Sequence, residues 1–135
     1  MAVGRDFDTY GWRSKLQRLV VLPRKPGSFA ATLAIANEMH QNGWSVSLAT
    51  PPETTIVMSK FLPDFVKVVI IPEDQSNNPD ALRTALPEGC SLLLIDHYGL
   101  DGTYSKSLRN WTEQIALIDD LANRNHNCDF LIDQN

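Results

Sequence analysis

The stretch Leu92-Leu-Leu-Ile-Asp-His-Tyr-Gly-Leu-Asp101 decides how we interpret this chain. Its four consecutive aliphatic residues predict a strand that is buried on both faces, as in a parallel sheet. The strand ends at Asp96, His97 and Tyr98. Because ligands of open α/β sheets bind beyond the carboxyl ends of the strands, these three side chains are candidates for a functional site. In the alternative interpretation, Asp96 caps a loop while His97 and Tyr98 are half-buried packing residues.

Similar apolar runs alternate with helical patterns along the chain. The other predicted strands are Arg18–Leu22, Trp44–Leu48, Lys67–Ile71, Gln114–Ile118 and Phe130–Ile132. The predicted helices run from near Ser28 to Asn42, over Ile56–Leu62, over Pro79–Leu86 and over Asp101–Trp111. This alternation predicts the α/β class, with a Rossmann-like doubly wound parallel sheet.

Composition narrows the class of protein. With 135 residues, 43% hydrophobic and 21% charged, the chain suits one globular domain, which we place at residues 16–135 after a polar and aromatic arm at 1–15. A net charge of −4 without a basic run argues against nucleic-acid binding. We find no apolar run of about 20 residues and no signal-peptide core, and we therefore expect a cytoplasmic protein with no membrane partner. Cys90 and Cys128 lack a metal-ligand spacing and are expected to be reduced thiols.

The loop after the first strand, Pro23–Ser28, is a candidate anion site. Gly27 and Ser28 stand where a strand turns into a helix, and free backbone N–H groups at such a turn favour an anion. The loop lacks the repeated glycines of phosphate-binding turns, and Pro26 removes one donor. An ordinary βα loop therefore stays the default interpretation.

Asp119 and Asp120 follow the fifth predicted strand and form a third polar strand end. They are candidates for binding sugar hydroxyls. The alternative is that one carboxylate caps a turn while the other faces solvent. Oxygen-ligated metal sites need more carboxylates than this pair supplies, so we predict neither a metal nor another cofactor.

Two motifs resemble those of a known family. Ile95-Asp-His-Tyr-Gly-Leu-Asp101, followed by Leu117-Ile-Asp-Asp-Leu-Ala-Asn-Arg-Asn-His-Asn-Cys-Asp-Phe-Leu-Ile-Asp-Gln-Asn135, resembles the N-terminal half of the UDP-sugar hydrolases of pseudaminic acid biosynthesis. These are the UDP-2,4-diacetamido-2,4,6-trideoxy-altropyranose hydrolases, relatives of the spore-coat polysaccharide proteins. The resemblance covers residues 18–135.

This resemblance implies a bacterial enzyme of glycosyltransferase-B architecture, of which the present chain is the first Rossmann-like domain. Such an enzyme uses water to remove UDP from the anomeric carbon of a nucleotide sugar. The resemblance places Tyr98 in the active-site cleft, which Asp96, His97 and Asp119 help to shape.

The chain departs from the family at two points. The family's first βα loop reads G-x-G-H-x-x-R-C, and its histidine is the expected general base; here Ser28 stands at the histidine position and Ala31 at the arginine position. A serine hydroxyl does not accept a proton near neutral pH as an imidazole does. The family also continues into a second, nucleotide-holding domain where this chain reaches Asn135.

We therefore expect a stand-alone or truncated homologue that binds a sugar or a nucleotide sugar but lacks full hydrolase activity alone. One alternative is an active hydrolase half that needs a second domain or a partner chain, with His97 as the base beside Tyr98. Another alternative is a non-catalytic interaction module whose arm pairs two copies into a homodimer or docks a protein partner.

Overall fold

The computed structural model describes residues 17–23, 30–96, 102–118 and 127–132. The arm at 1–15 lies outside these residues. The strands are β1 (Arg18–Leu22), β2 (Ser45–Thr50), β3 (Val66–Ile70), β4 (Cys90–Ile95), β5 (Thr112–Ile118) and β6 (Phe130–Ile132). The helices are α1 (Ala30–Gln41), α2 (Pro52–Met58), α3 (Pro79–Ala85) and α4 (Gly102–Ser107), with a 3₁₀ turn at Glu73–Gln75.

The six strands form one sheet in the order β3-β2-β1-β4-β5-β6, and every neighbouring pair is parallel. This is the strand order of the Rossmann fold, in which the winding direction reverses between β1 and β4. In register, Leu22 of β1 lies beside Ile95 of β4, which lies beside Leu117 of β5. The predicted α/β doubly wound parallel sheet is confirmed.

Helices cover both faces of the sheet. Ala36 of α1 and Met58 of α2 belong to the hydrophobic core on one face, which we call the α1 face. Leu82 of α3 and Tyr104 of α4 belong to the core on the other face, which we call the α3 face. Because successive strand side chains point to opposite faces, β4 contributes buried residues to both cores, as its continuous aliphatic run predicts.

Two predicted helices have the wrong bounds. The helix expected at Ile56–Leu62 begins at Pro52, because proline suits the first helical position, and ends at Met58. The helix expected at Asp101–Trp111 is α4, which ends at Ser107. Trp111 is nevertheless buried, and its indole N–H donates to the Leu86 carbonyl over 2.7 Å, so the apolar spacing reflects burial rather than a longer helix.

Local contacts fix the start of β4 and the start of β6. Gly89 has φ +76° and lies against the Trp111 carbonyl, which accepts the Cys90 N–H over 3.3 Å. One carboxylate oxygen of Asp129, beside β6, accepts the Ile115 N–H over 2.8 Å and a guanidinium N–H of Arg109 over 2.6 Å. These bonds lower the pKa of the Asp129 carboxyl, the bond from Ile115 having the larger effect.

Among the helices that the structure describes, none combines the length and the apolar character that a bilayer span requires.

Candidate functional site

The candidate site lies at the carboxyl ends of β1 and β4, where the strand order reverses. The crossovers leave this point in opposite directions, and the crevice between them is where doubly wound folds bind ligands. The two strand ends are joined directly, because the backbone N–H of Asp96 donates to the Leu22 carbonyl over 2.9 Å.

Asp96 is the buried polar residue at this edge. It continues the alternation of β4, so its side chain lies on the α1 face, and it is only 2% exposed. Its Oδ2 atom accepts a hydrogen bond of 3.1 Å from the hydroxyl of Thr32, in the first turn of α1. Burying a carboxyl group is unfavourable unless hydrogen bonds compensate, and Thr32 supplies one. This bond fixes the carboxyl group and ties the end of β4 to the start of α1.

Thr32 is a site residue that sequence reasoning missed. It is 1% exposed and lies 64 positions from Asp96 in the chain, too far for any local pattern to connect the two. One feature of the sequence could have identified it: Thr32 precedes Ala36 by four residues, a spacing that puts both on the buried side of α1.

Thr50, the last residue of β2, is a second buried hydroxyl at this edge. It is 1% exposed, and its Oγ1 has no hydrogen-bond partner among the residues that the structure describes. The alternation of β2 puts its side chain on the α1 face, as for Asp96. β2 and β4 flank β1, so Thr50 and Asp96 stand about 10 Å apart across the sheet.

The structure places only one of the predicted site residues. Asp96 is described as above, whereas Gly27, Ser28, His97, Tyr98, Asp119 and Asp120 lie outside the described residues. The strand ends that precede them are adjacent, since β1, β4 and β5 are neighbours in the sheet and are level at their carboxyl ends. The three segments predicted to converge therefore follow neighbouring strand ends at one edge.

Two other side chains of reactive types, Cys90 and His40, do not belong to this site. Cys90 begins β4 at the opposite end of the strand, and burial raises the pKa of its thiol to about 11, so the thiolate is scarce at neutral pH. His40 is exposed and stacks on Phe65, with ring centroids 3.9 Å apart. Within the described ranges, no three His, Cys, Asp or Glu residues form a group that could hold a metal ion.

A surface depression of about 530 Å³ lies at the amino ends of β4 and β5. Arg18, Arg109, Glu88 and Glu113 line it, so it mixes both signs of charge and favours no single class of ionic ligand. Parallel sheets bind ligands at the other ends of their strands, and we therefore place the site at Asp96.

No protein-family model, curated protein or solved structure matches this chain.

Proposed function

We propose that the chain is a homologue of the N-terminal domain of the UDP-sugar hydrolases of pseudaminic acid biosynthesis and that it binds a nucleotide sugar at the β1–β4 edge. The observation that carries the proposal is the buried Asp96, the first polar residue of the Asp-His-Tyr-Gly motif, at the point where the strand order reverses. The Rossmann strand order also suits one half of a glycosyltransferase-B fold.

The proposed activity is binding without full hydrolysis. In the family's reaction, water attacks the anomeric carbon and UDP leaves with the bonding electron pair, while a base takes a proton from the water. Ser28 stands at the position of the expected base and is a poor proton acceptor near neutral pH. We therefore propose that this chain retains the sugar-binding edge and does not release UDP on its own.

Titration of the chain with UDP and with UDP-linked acetamido sugars, followed by amide NMR shifts, tests the proposal. We expect shifts to cluster at Leu22, Thr32 and Asp96, with no free UDP released. Asp96→Asn should weaken binding, whereas Asp129→Asn, which changes a carboxylate beside the amino end of β6, should not. Absence of shifts at millimolar ligand refutes binding, and steady release of UDP refutes the loss of hydrolysis.

Exposed apolar side chains favour a protein-interaction module as the second candidate. Ile56 of α2 is 69% exposed, Phe61 in the following turn is 60% exposed, and Leu131 of the edge strand β6 is 50% exposed. Exposed apolar groups mark contact surfaces only when they cluster, and β6 lies at the edge of the sheet opposite β3, so the case depends on Ile56 and Phe61. Light scattering of the full chain and of a variant lacking residues 1–15 tests whether the arm pairs two copies; an unchanged mass refutes that role for the arm.

A further inference from the structure

The strand β3 has one open side. It lies at the end of the strand order, with β2 on one side and no other strand of the described residues on the other. Its sequence is Val66-Lys67-Val68-Val69-Ile70, so every residue except the lysine is a β-branched aliphatic. The open side of such an edge strand presents backbone N–H and C=O groups with which another strand can pair.

The hydrogen bonds to β2 determine which residues of β3 direct their backbone groups outward. Thr50 lies beside Ile70 in register, and its carbonyl accepts the N–H of Ile71 over 2.9 Å. Because alternate residues of a strand direct both backbone groups to the same side, the odd-numbered residues of β3 bond to β2. The backbone groups of Val66, Val68 and Ile70 therefore face the open side.

The same three residues carry an aliphatic row on the α1 face. In register they lie beside the residues of β2 that point to that face. Ile70 is nonetheless 56% exposed, since the sheet ends at β3. Ile56 of α2, which packs beside β3, and Phe61 in the turn between them are exposed as well. This edge therefore combines unpaired backbone with uncovered apolar side chains.

We propose that β3 pairs antiparallel with β3 of a second copy of this chain, with a two-fold axis at Val68. This axis sets Val68 opposite Val68 and Val66 opposite Ile70, so all the outward-facing residues meet in hydrogen-bonded pairs. The two Val68 residues exchange both of their bonds, and each Ile70 N–H donates to the Val66 carbonyl of the other copy. The Val66 N–H keeps its bond of 3.2 Å to the Pro63 carbonyl.

This register also suits the aliphatic row on the α1 face. Ile70 of each copy packs beside Val66 of the other, and the two Val68 side chains meet at the axis. The row of one copy thus continues into the row of the other, and the exposed side of Ile70 becomes buried. Such self-complementarity is what a two-fold interface requires, since the same patch serves both copies.

Lys67 is accommodated by the same register. A lysine on an edge strand commonly discourages pairing, but here each Lys67 stands opposite Val69 of the other copy rather than opposite the other Lys67. The next residue of β3 on that face, Ile71, lines a depression together with Asp80. The Asp80 side chain is 79% exposed, so the carboxylate attracts the Lys67 ammonium of the second copy.

This inference goes beyond the proposed function and does not depend on it. Pairing at β3 needs no nucleotide sugar, and β3 is separated from β1 of the candidate site by β2. It needs no contribution from the arm at 1–15 either.

Light scattering of the full chain, measured over a range of concentrations, tests the inference. We expect a mass twice that of the monomer. Ile70→Lys should reduce the mass to that of the monomer, because it puts a charge into the aliphatic row, while the exposed position lets the monomer fold. Leu131→Lys makes the same kind of change on the opposite edge strand, β6, and should leave the dimer intact. Circular dichroism checks that both variants fold.

Amide hydrogen exchange identifies the strand that pairs. The Val68 amide should exchange at least about tenfold more slowly in the wild-type chain than in Ile70→Lys, since only the dimer gives it a hydrogen bond. The Val69 amide, which faces β2 in both proteins, is the internal control. A monomeric wild-type chain, a dimer that survives Ile70→Lys, or a Val68 amide that exchanges equally fast in both proteins overturns the inference.

Val68→Pro provides a second variant should Ile70→Lys fail to fold. It removes an outward-facing N–H, a loss that an edge strand tolerates, and it should also give a monomer. A Val68→Pro chain that remains a dimer overturns pairing at β3.

Discussion

Replacing Thr32 by valine should destabilise the protein, whereas the same replacement at Thr50 should not. Both threonines are 1% exposed and lie on the α1 face at the carboxyl edge of the sheet. They differ in their hydrogen bonds: the Thr32 hydroxyl donates to Asp96 over 3.1 Å, and the Thr50 hydroxyl has no partner among the described residues. Each valine keeps the branched shape of the side chain and replaces the hydroxyl by a methyl group, so each variant is the control for the other.

The magnitudes follow from these contacts. A hydrogen bond to a carboxylate contributes about 1.5–3 kcal/mol, so Thr32→Val should lower the free energy of unfolding by about 2 kcal/mol. At Thr50 the hydroxyl is buried with no hydrogen-bond partner among the described residues, and its replacement by a methyl group should leave stability unchanged or raise it by about 1 kcal/mol. The difference between the two variants is then about 2–3 kcal/mol.

Urea unfolding, followed by far-UV circular dichroism, measures this difference. With a slope of about 1–3 kcal/mol per molar urea, we expect the midpoint of Thr32→Val to fall by about 1 M and that of Thr50→Val to stay or rise. Equal losses at the two positions would show that packing, rather than the bond to Asp96, determines the cost. A Thr32→Val midpoint within error of the wild type would refute a stabilising role for this bond.

Two further predictions concern the backbone and the buried ionisable groups. In the same assay, Gly89→Ala should lower the free energy of unfolding by at least about 2 kcal/mol more than Gly43→Ala does. Both glycines have positive φ, but a Cβ added at Gly89 collides with the Trp111 carbonyl, whereas a Cβ added at Gly43 has nothing within 4 Å. Equal losses at the two positions would refute the collision. Burial raises the pKa of Cys90 to about 11 and that of Tyr104 to about 12, above their ordinary values of 9.0 and 10.0. The unfolded chain therefore loses these protons first as pH rises, so unfolding free energy should fall between about pH 9 and 12, by on the order of 2 kcal/mol for each group. Tyr104→Phe should remove only the share of Tyr104, between about pH 10 and 12, and leave the share of Cys90, between about pH 9 and 11. Chemical denaturation at several pH values measures both, and an unchanged pH profile would contradict the assignment to Tyr104.

Much of the fold is predictable from the sequence because the strands are marked locally. The bounds of β1 and β6 are those that their apolar runs predict, and the run before Asp96 identifies a strand buried on both faces. Prediction from apolar spacing fails where an apolar residue is exposed or is buried by a turn rather than by a helix. Ile56 looks like the start of a buried helix but is exposed within α2, and Trp111 is buried by a turn that follows α4.

The candidate site is predictable only in part. The sequence points to Asp96 because an acidic residue directly follows a buried strand, and the structure places it at the reversal of strand order. Its hydrogen bond from Thr32, and the burial of the Thr50 hydroxyl with no partner in the part of the chain that the structure describes, depend on how segments distant in the chain pack together.

The sequence by itself determined the fold class and the position of one buried acid, because hydrophobic periodicity and the residue that ends a strand are properties of neighbours in the chain. Only the tertiary structure decided the strand order, the hydrogen-bond partner of Asp96 and the packing at the carboxyl ends of the strands. Those features depend on which strands pair and on which face each helix packs, and packing between distant segments sets both.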